Sequence, residues 1–273
     1  MEGSNRSNVS LEEPVEVDNF IVGCAIVAIS SLVVAVNLLM LVVLLKNKGM
    51  RKNISPIITS LAVADLLLGL MMILQSAEGL SESLDIFVDF MASSSYLVSI
   101  THLVLIGVDR CISVIAPLWY DANITRQKLY ISIALPWTVA TAICIMIQVM
   151  TESFVSKLAM KIYLFNFIFV GLSLLVLYSY LGKVACTQWR KIQSQVNQEH
   201  RKRIPKATRV LLAVLGAYVV LWGPYIVLVV ADVAGCHWLI RTDWFDVSIL
   251  MGNTNSAVNF FIYALMSSDF RQA

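Results

Sequence analysis

Charge is scarce in this chain. Of 273 residues only 14% are Asp, Glu, Lys or Arg, where a soluble domain carries about a quarter, and this excludes a soluble globular fold. The formal net charge of +2 provides no strongly basic surface, so no nucleic-acid partner is expected. Histidine is rarer still. His102, His200 and His237 form no recognisable metal-ligand or nucleophile set, which argues against an enzyme. The five cysteines, Cys24, Cys111, Cys144, Cys186 and Cys236, build no disulfide framework. Repeats and low-complexity segments are absent, so the chain reads as one domain. Met1–Asn19 is polar and acidic and does not read as a cleavable signal, leaving the first apolar run as the expected uncleaved anchor.

What the chain has instead is apolar length. It is 58% hydrophobic with mean hydropathy +0.77. Apolar stretches fall at roughly 20–45, 56–77, 86–116, 127–150, 158–187, 207–231 and 244–266, each longer than the ~20 residues that cross ~30 Å of hydrocarbon as a helix. The expected fold is an all-α membrane protein, a seven-transmembrane helix bundle surrounded by membrane lipids. The third run, at ~1.5 Å per residue, is about 46 Å long and must tilt or project from the bilayer. Basic residues set the orientation. With the N-terminus outside, sixteen of the twenty Lys and Arg residues lie on inner segments and only Arg6, Lys157, Lys161 and Arg241 lie outside. A multi-pass plasma-membrane protein with an extracellular N-terminus follows. Asn5 and Asn8 then head glycosylation motifs on the outer side, whereas Asn53 and Asn123 match the pattern on the wrong side. Cys24 and Cys236 both fall near outer ends, and a bridge between them stays open. The organisation expected is a tail over 1–19, the helical domain over 20–266, and the start of a further cytoplasmic helix over 267–273.

Polar residues interrupt these runs at matched depths. Asp65 is mid-span in the second, with Asn37 in the first, Ser99 in the third, and Asn255, Ser256 and Asn259 in the seventh. A carboxylate inside a membrane must face the interior and find partners. One carboxylate among hydroxyl and amide oxygens suits a small hard cation, Na⁺. A protonated Asp65 in a hydrogen-bond network is the other reading, and the residues leave both open. Asp109-Arg110-Cys111 closes the third run with an acid–base pair. Trp222-Gly223-Pro224 places a proline, which removes a backbone hydrogen bond, beside a bulky ring, and so marks a hinge in the sixth run. Trp137 and Pro136 in the fourth are read as packing or lipid contacts. A transporter or channel with Asp65 in its pathway is the alternative from another class. It predicts inverted repeats or broken helices, and neither is legible.

These residues, in this order, resemble the rhodopsin-like (class A) G-protein-coupled receptors. Asn37 matches the first-helix asparagine and Leu61-Ala-Val-Ala-Asp65 the second-helix motif. Asp109-Arg110-Cys111 matches the Asp-Arg-Tyr box with its tyrosine replaced. Trp137 matches the fourth-helix tryptophan, Tyr178 the fifth-helix tyrosine, and Leu221-Trp222-Gly223-Pro224 the sixth-helix hinge. Asn255-Ser-Ala-Val-Asn259-Phe-Phe-Ile-Tyr263 matches the Asn-Pro-x-x-Tyr region with Phe260 in the proline's place, and Ser267–Arg271 the start of an amphipathic eighth helix. The resemblance spans Asn37 to Arg271. Cys111, Phe260 and Val170 (where the fifth helix usually has proline) depart from the pattern and bear on coupling strength.

The resemblance implies a receptor that passes an extracellular signal to a heterotrimeric G protein. Asp109, Arg110, Tyr178, Tyr263, Trp222, Pro224 and Tyr218 are its expected activation residues, with Ile100 and Val170 packed beside Trp222 and Tyr218. The G protein is expected against Arg110, Trp119–Tyr120 and the basic segment Arg201–Lys206. The acid that restrains some relatives at the base of the sixth helix is replaced by Ile204, so raised basal activity is expected. No lysine in the seventh span excludes a retinal Schiff base, and Ala92 stands where amine receptors keep an aspartate. Asp85 replaces the cysteine that heads the third helix, so the family's usual disulfide cannot form. The missing bridge, the short second outer loop and Val170 resemble the melanocortin receptors, in the group that includes cannabinoid, lysophospholipid and adenosine receptors.

Asp85 and Asp89 stand at the spacing of the melanocortin Ca²⁺-binding aspartates, with Gln75 where that family has a glutamate, and Glu78 one turn higher. The ligand-binding residues expected are Asp85, Asp89, Glu78, Gln75, Trp222 and Tyr225. No cofactor is required, Na⁺ at Asp65 is an allosteric ion, and Ca²⁺ at Asp85 and Asp89 would bind together with ligand. Outer acids number thirteen of eighteen against four bases, which favours a cationic peptide. The apolar residues Phe90, Leu97, Tyr225 and Trp244, read as walls, would equally admit a lipid.

Overall fold

A computed structural model describes residues 13–47, 55–77, 80–149, 153–193, 206–236 and 242–266. Eight helices occupy them: α1 Glu13–Lys46, α2 Pro56–Gln75, α3 Glu82–Ile115, α4 Pro117–Asn123, α5 Arg126–Val149, α6 Ser153–Gln193, α7 Lys206–Val233 and α8 Thr242–Met266. All but α4 match the seven expected spans, with ends displaced by a few residues. Among the described residues, α1, α2, α3, α5 and α6 each hold a stretch long and apolar enough to cross a membrane, while the described apolar stretch of α7, Gly216–Asp232, is shorter. At ~1.5 Å per residue the 34-residue α3 is about 51 Å long.

The helices close a ring around α3. α1 packs on α2 and α8, α2 on α3, α3 on α5 and α6, α6 on α7, and α7 on α8. Because lipid is as apolar as a protein core, helix association depends on close packing and inter-helix hydrogen bonds. Gly69 is one close approach. A Cβ there would stand 2.9 Å from Val34 Cγ2 and 3.1 Å from the Ser30 carbonyl oxygen, so a larger residue would push α1 from α2. The main core gathers Leu61, Leu97, Ile100, Leu103, Ile106, Leu174, Tyr218 and Trp222, and Val33, Met40, Ala257 and Phe260 form a second cluster between α1 and α8. Lipid-facing positions are equally apolar, among them Leu45, Leu135, Val176 and Val227.

One polar chain ties α2, α3 and α5. His102 is fully buried. Its Nδ1 lies 2.8 Å from the Val98 carbonyl oxygen and its Nε2 3.0 Å from Ser60 Oγ, which also accepts Trp137 Nε1–H at 3.0 Å. A carbonyl only accepts and an indole N–H only donates. With the neutral Nδ1–H tautomer, Ser60 donates to Nε2 and every group is satisfied. Trp137 is therefore an inter-helix donor as well as a packing residue, which corrects its reading as mere packing or lipid contact. Cys111 Sγ, 3.6 Å from the Leu177 carbonyl oxygen, links α3 to α6. Cys24 and Cys236 are free thiols, so no bridge joins them.

Candidate functional site

Three features succeed one another along α3. The first is a cavity of about 250 Å³ lined by Leu68, Met72 and Gln75 of α2, Ala92, Ser93 and Tyr96 of α3, Tyr225 of α7, and Ile249 and Asn253 of α8. An aromatic chain carries its lining inward. Trp222, only 3% exposed, meets Tyr96 edge-on at 5.1 Å between centroids and Tyr225 at 6.0 Å, and Tyr225 meets Phe245 of α8 at 6.2 Å. Such edge-to-face pairs favour a fixed relative geometry. Tyr218, one turn along α7, lies in the same core cluster with Ile100 and Val170, as expected. Helix α7 continues through Pro224, whose missing N–H leaves the Val220 carbonyl without its helical donor.

Of the expected ligand residues, Gln75 and Tyr225 line the cavity and Trp222 packs against two of its lining rings. Asp85 and Asp89 are exposed on α3. They are not in the lining, but Gln75 Nε2 donates to Asp89 Oδ1 at 2.7 Å and ties that aspartate to the cavity residue. Glu78 lies outside the described residues, as do Asn5, Asn8, Ile204 and 267–273. The described residues contain no group of three or more His, Cys, Asp or Glu able to hold a metal. Of the expected apolar walls Tyr225 lines this cavity, Leu97 is 2% exposed inside the core with Phe90 packed against it, and Trp244 lines a separate apolar groove with Pro224, Val227 and Val247.

The second feature surrounds Asp65, which is fully buried. Ser99 Oγ donates to Asp65 Oδ1 at 2.5 Å and Ser256 Oγ to the same oxygen at 2.7 Å. Asn37 Nδ2 donates to the Ser256 backbone oxygen at 3.3 Å and to that of Val33 at 2.9 Å. Helices α2, α3 and α8 thus meet at one carboxylate, and Asn37 ties α1 to the Ser256 backbone beside it. Asp65 Oδ2 and Asn255 Oδ1 are buried without hydrogen-bond partners, and the Asn259 side chain interacts with the Asp65 carboxyl. Unsatisfied oxygens beside a carboxylate are the donor set that a small hard cation needs.

The third feature lies at the C-terminal end of α3. Arg110 Nη2 and Nε lie 2.8 and 3.1 Å from Asp109 Oδ2, and Tyr120 of α4 donates its hydroxyl to Asp109 Oδ1 at 2.7 Å. Both carboxylate oxygens are engaged, and Asp109 is 4% exposed against 38% for Arg110. The Tyr120 contact was missed because α4 is only seven residues long and its Pro117 start resembles a loop. Burial, with the bond to Asp109 adding to it, pushes the Tyr120 phenol up to about 12, so it remains a donor throughout the neutral range. A hydrogen bond to a charged group contributes about 1.5–3 kcal/mol, less where water reaches it. Tyr120→Phe is therefore expected to raise ligand-independent signalling by roughly tenfold at equal surface expression, measured as nucleotide exchange. Unchanged exchange would remove Tyr120 from the lock. The side chains of Tyr178 and Tyr263 lie outside those described.

A cavity near one end, a buried polar hub and an Asp109–Arg110–Tyr120 cluster near the other, on a bundle of apolar helices, fit a membrane receptor. The family model for the seven-transmembrane receptors of the rhodopsin family matches residues 36–263, and the chain belongs to that family; it is a multi-pass membrane protein and not an enzyme. It is 30% identical to cannabinoid receptor 1 of Xenopus laevis over 87% of this chain and 58% of that receptor. It is 28% identical to the histamine H2 receptor of Cavia porcellus, over 83% of this chain and 70% of that one. Melanocortin receptor 4 of Danio rerio is 26% identical over 86% of this chain and 77% of its own length. The chain thus spans little more than half the length of the first of these relatives.

Proposed function

We propose that this receptor sits in the plasma membrane with its N-terminus, bearing Asn5 and Asn8, outside, and that it converts ligand binding in the outer cavity into activation of a heterotrimeric G protein. The observation that carries this is the contact of two cavity-lining residues, Tyr96 and Tyr225, with Trp222 beside the Pro224 hinge. A ligand that favours a different arrangement of these rings shifts the helix equilibrium by its differential affinity alone. At the other end Arg110 leaves Asp109 and meets the G protein, with Tyr178 and Tyr263 turning inward. Na⁺ at Asp65, held with Ser99, Ser256, Asn255 and Asn259, opposes the change.

The ligand we infer is cationic, a basic peptide, because exposed Asp89 is bonded to Gln75 of the cavity wall, exposed Asp85 stands four residues before it on α3, and the outer loops are acidic. Ca²⁺ shared between these aspartates and ligand carbonyls serves the same recognition, since Ca²⁺ takes about six to eight oxygens and two carboxylates alone are too few. A two-armed screen tests this, one arm of Lys- and Arg-rich peptides and one of lysophospholipids, read as receptor-dependent nucleotide exchange. Responses are expected in the peptide arm, weakened about tenfold by chelating Ca²⁺ and by Asp85→Asn/Asp89→Asn, with chelation having no further effect in that double variant. Responses confined to the lipid arm would overturn the cationic reading.

A further inference from the structure

Gly252 sits buried in the interior of α8, where alanine would favour the helix by about 1 kcal/mol. Its missing side chain has an occupant. A Cβ built on Gly252 would overlap Cε3, Cζ3 and Cη2 of Trp222, so the benzo edge of that ring rests directly on the α8 backbone. Tyr96 of α3 and Tyr225 of its own helix meet the ring edge-on. Trp222 is thus gripped between α3 and α8 while the inner lock is closed, because Asp109 holds both Arg110 and Tyr120 in the same structure. The next residue, Asn253, lines the outer cavity, so the notch and the cavity share one turn of α8.

We propose that Gly252 is a positioning residue, the notch that seats Trp222 in the resting conformation and thereby sets basal activity. The inference rests on the reading that Trp222 relays ligand binding to the inner end. A methyl at this position acts only on states in which the ring occupies the notch. It overpacks the resting arrangement and leaves alone any arrangement in which the ring has swung away, so the equilibrium moves toward the active state. A ring too small to fill the notch cannot be displaced by the methyl. The effect of Gly252→Ala must therefore disappear when Trp222 is already Phe, a non-additivity expected of residues in contact and not of two independent lesions.

The test uses the whole receptor in lipid nanodiscs with purified heterotrimeric G protein and no ligand. Gly252→Ala is expected to raise nucleotide exchange about fivefold, and to leave it within about twofold when added to Trp222→Phe. With fluorotryptophan incorporated, the resonance that Trp222→Phe removes is expected to shift in Gly252→Ala. A resonance that does not move overturns the seat. A resonance that moves with exchange unchanged overturns control of basal activity. Both results are separable from failure of the receptor reading itself, in which the native protein would show no Arg110-dependent exchange while the resonance still reports on the seat. Should Gly252→Ala fail to reach the membrane alone, recovery of surface receptor by adding Trp222→Phe supports the overlap, and no recovery overturns it.

Discussion

Replacing Arg110 with alanine is expected to reduce receptor-dependent nucleotide exchange to the level of empty membranes while surface receptor persists. Arg110 is the basic side chain at the inner end of α3, and in the resting arrangement its guanidinium is spent on Asp109 Oδ2 at 2.8 Å. In the proposed mechanism, the same group becomes the contact for the G protein when the helices part. Removing one partner of a desolvated interfacial charge contact costs about 2–5 kcal/mol, roughly thirtyfold or more in coupling. The same substitution also frees Asp109, which keeps its bond from Tyr120. The bundle can therefore open without being able to signal. A variant that opened and still drove exchange at native levels would remove Arg110 from the coupling site.

Sodium is expected to act at the opposite sign. Raising Na⁺ at constant ionic strength, with choline as the replaced cation, should lower ligand-independent exchange about fivefold, the scale of an ordinary allosteric coupling. The cause is the fully buried Asp65 carboxylate, whose Oδ2 has no hydrogen-bond partner while Ser99 and Ser256 both donate to Oδ1. A cation there would draw α2, α3 and α8 onto one centre and hold the resting packing. Asp65→Asn keeps the shape but not the charge, and should make exchange equal in Na⁺ and choline. Dependence on Na⁺ that survived in Asp65→Asn would place the ion elsewhere, and equal exchange in both salts for the native receptor would leave Asp65 as a plain hydrogen-bonding hub.

Much of this was legible in the residues. Apolar run length placed seven helices to within a few residues, because a membrane-crossing helix must be continuous. The polar hub was also readable, since Asp65, Ser99 and Ser256 are costly in hydrocarbon and must find one another. Faces were not. A residue turned to lipid and one turned to the core are equally apolar, so apolar character alone does not separate Leu97 and Phe90, which belong to the core, from Trp244, which lines a groove. Pairings distant in sequence were hidden as well: nothing local links Ser60 to His102 and Trp137, Gln75 to Asp89, or Gly252 to Trp222. Glycine in an apolar helix looks like any other small residue until the ring that fills its place is known.

Opening the contact at Asp109 is proposed to prepare this chain to hold a G protein. The most direct measurement of this is the binding of nucleotide-free heterotrimeric G protein to the Tyr120→Phe receptor in nanodiscs, followed by addition of a non-hydrolysable GTP analogue. A saturable complex that the analogue dissolves, and that Arg110→Ala prevents, is the predicted result. No complex, or one indifferent both to the nucleotide and to Arg110, would contradict it.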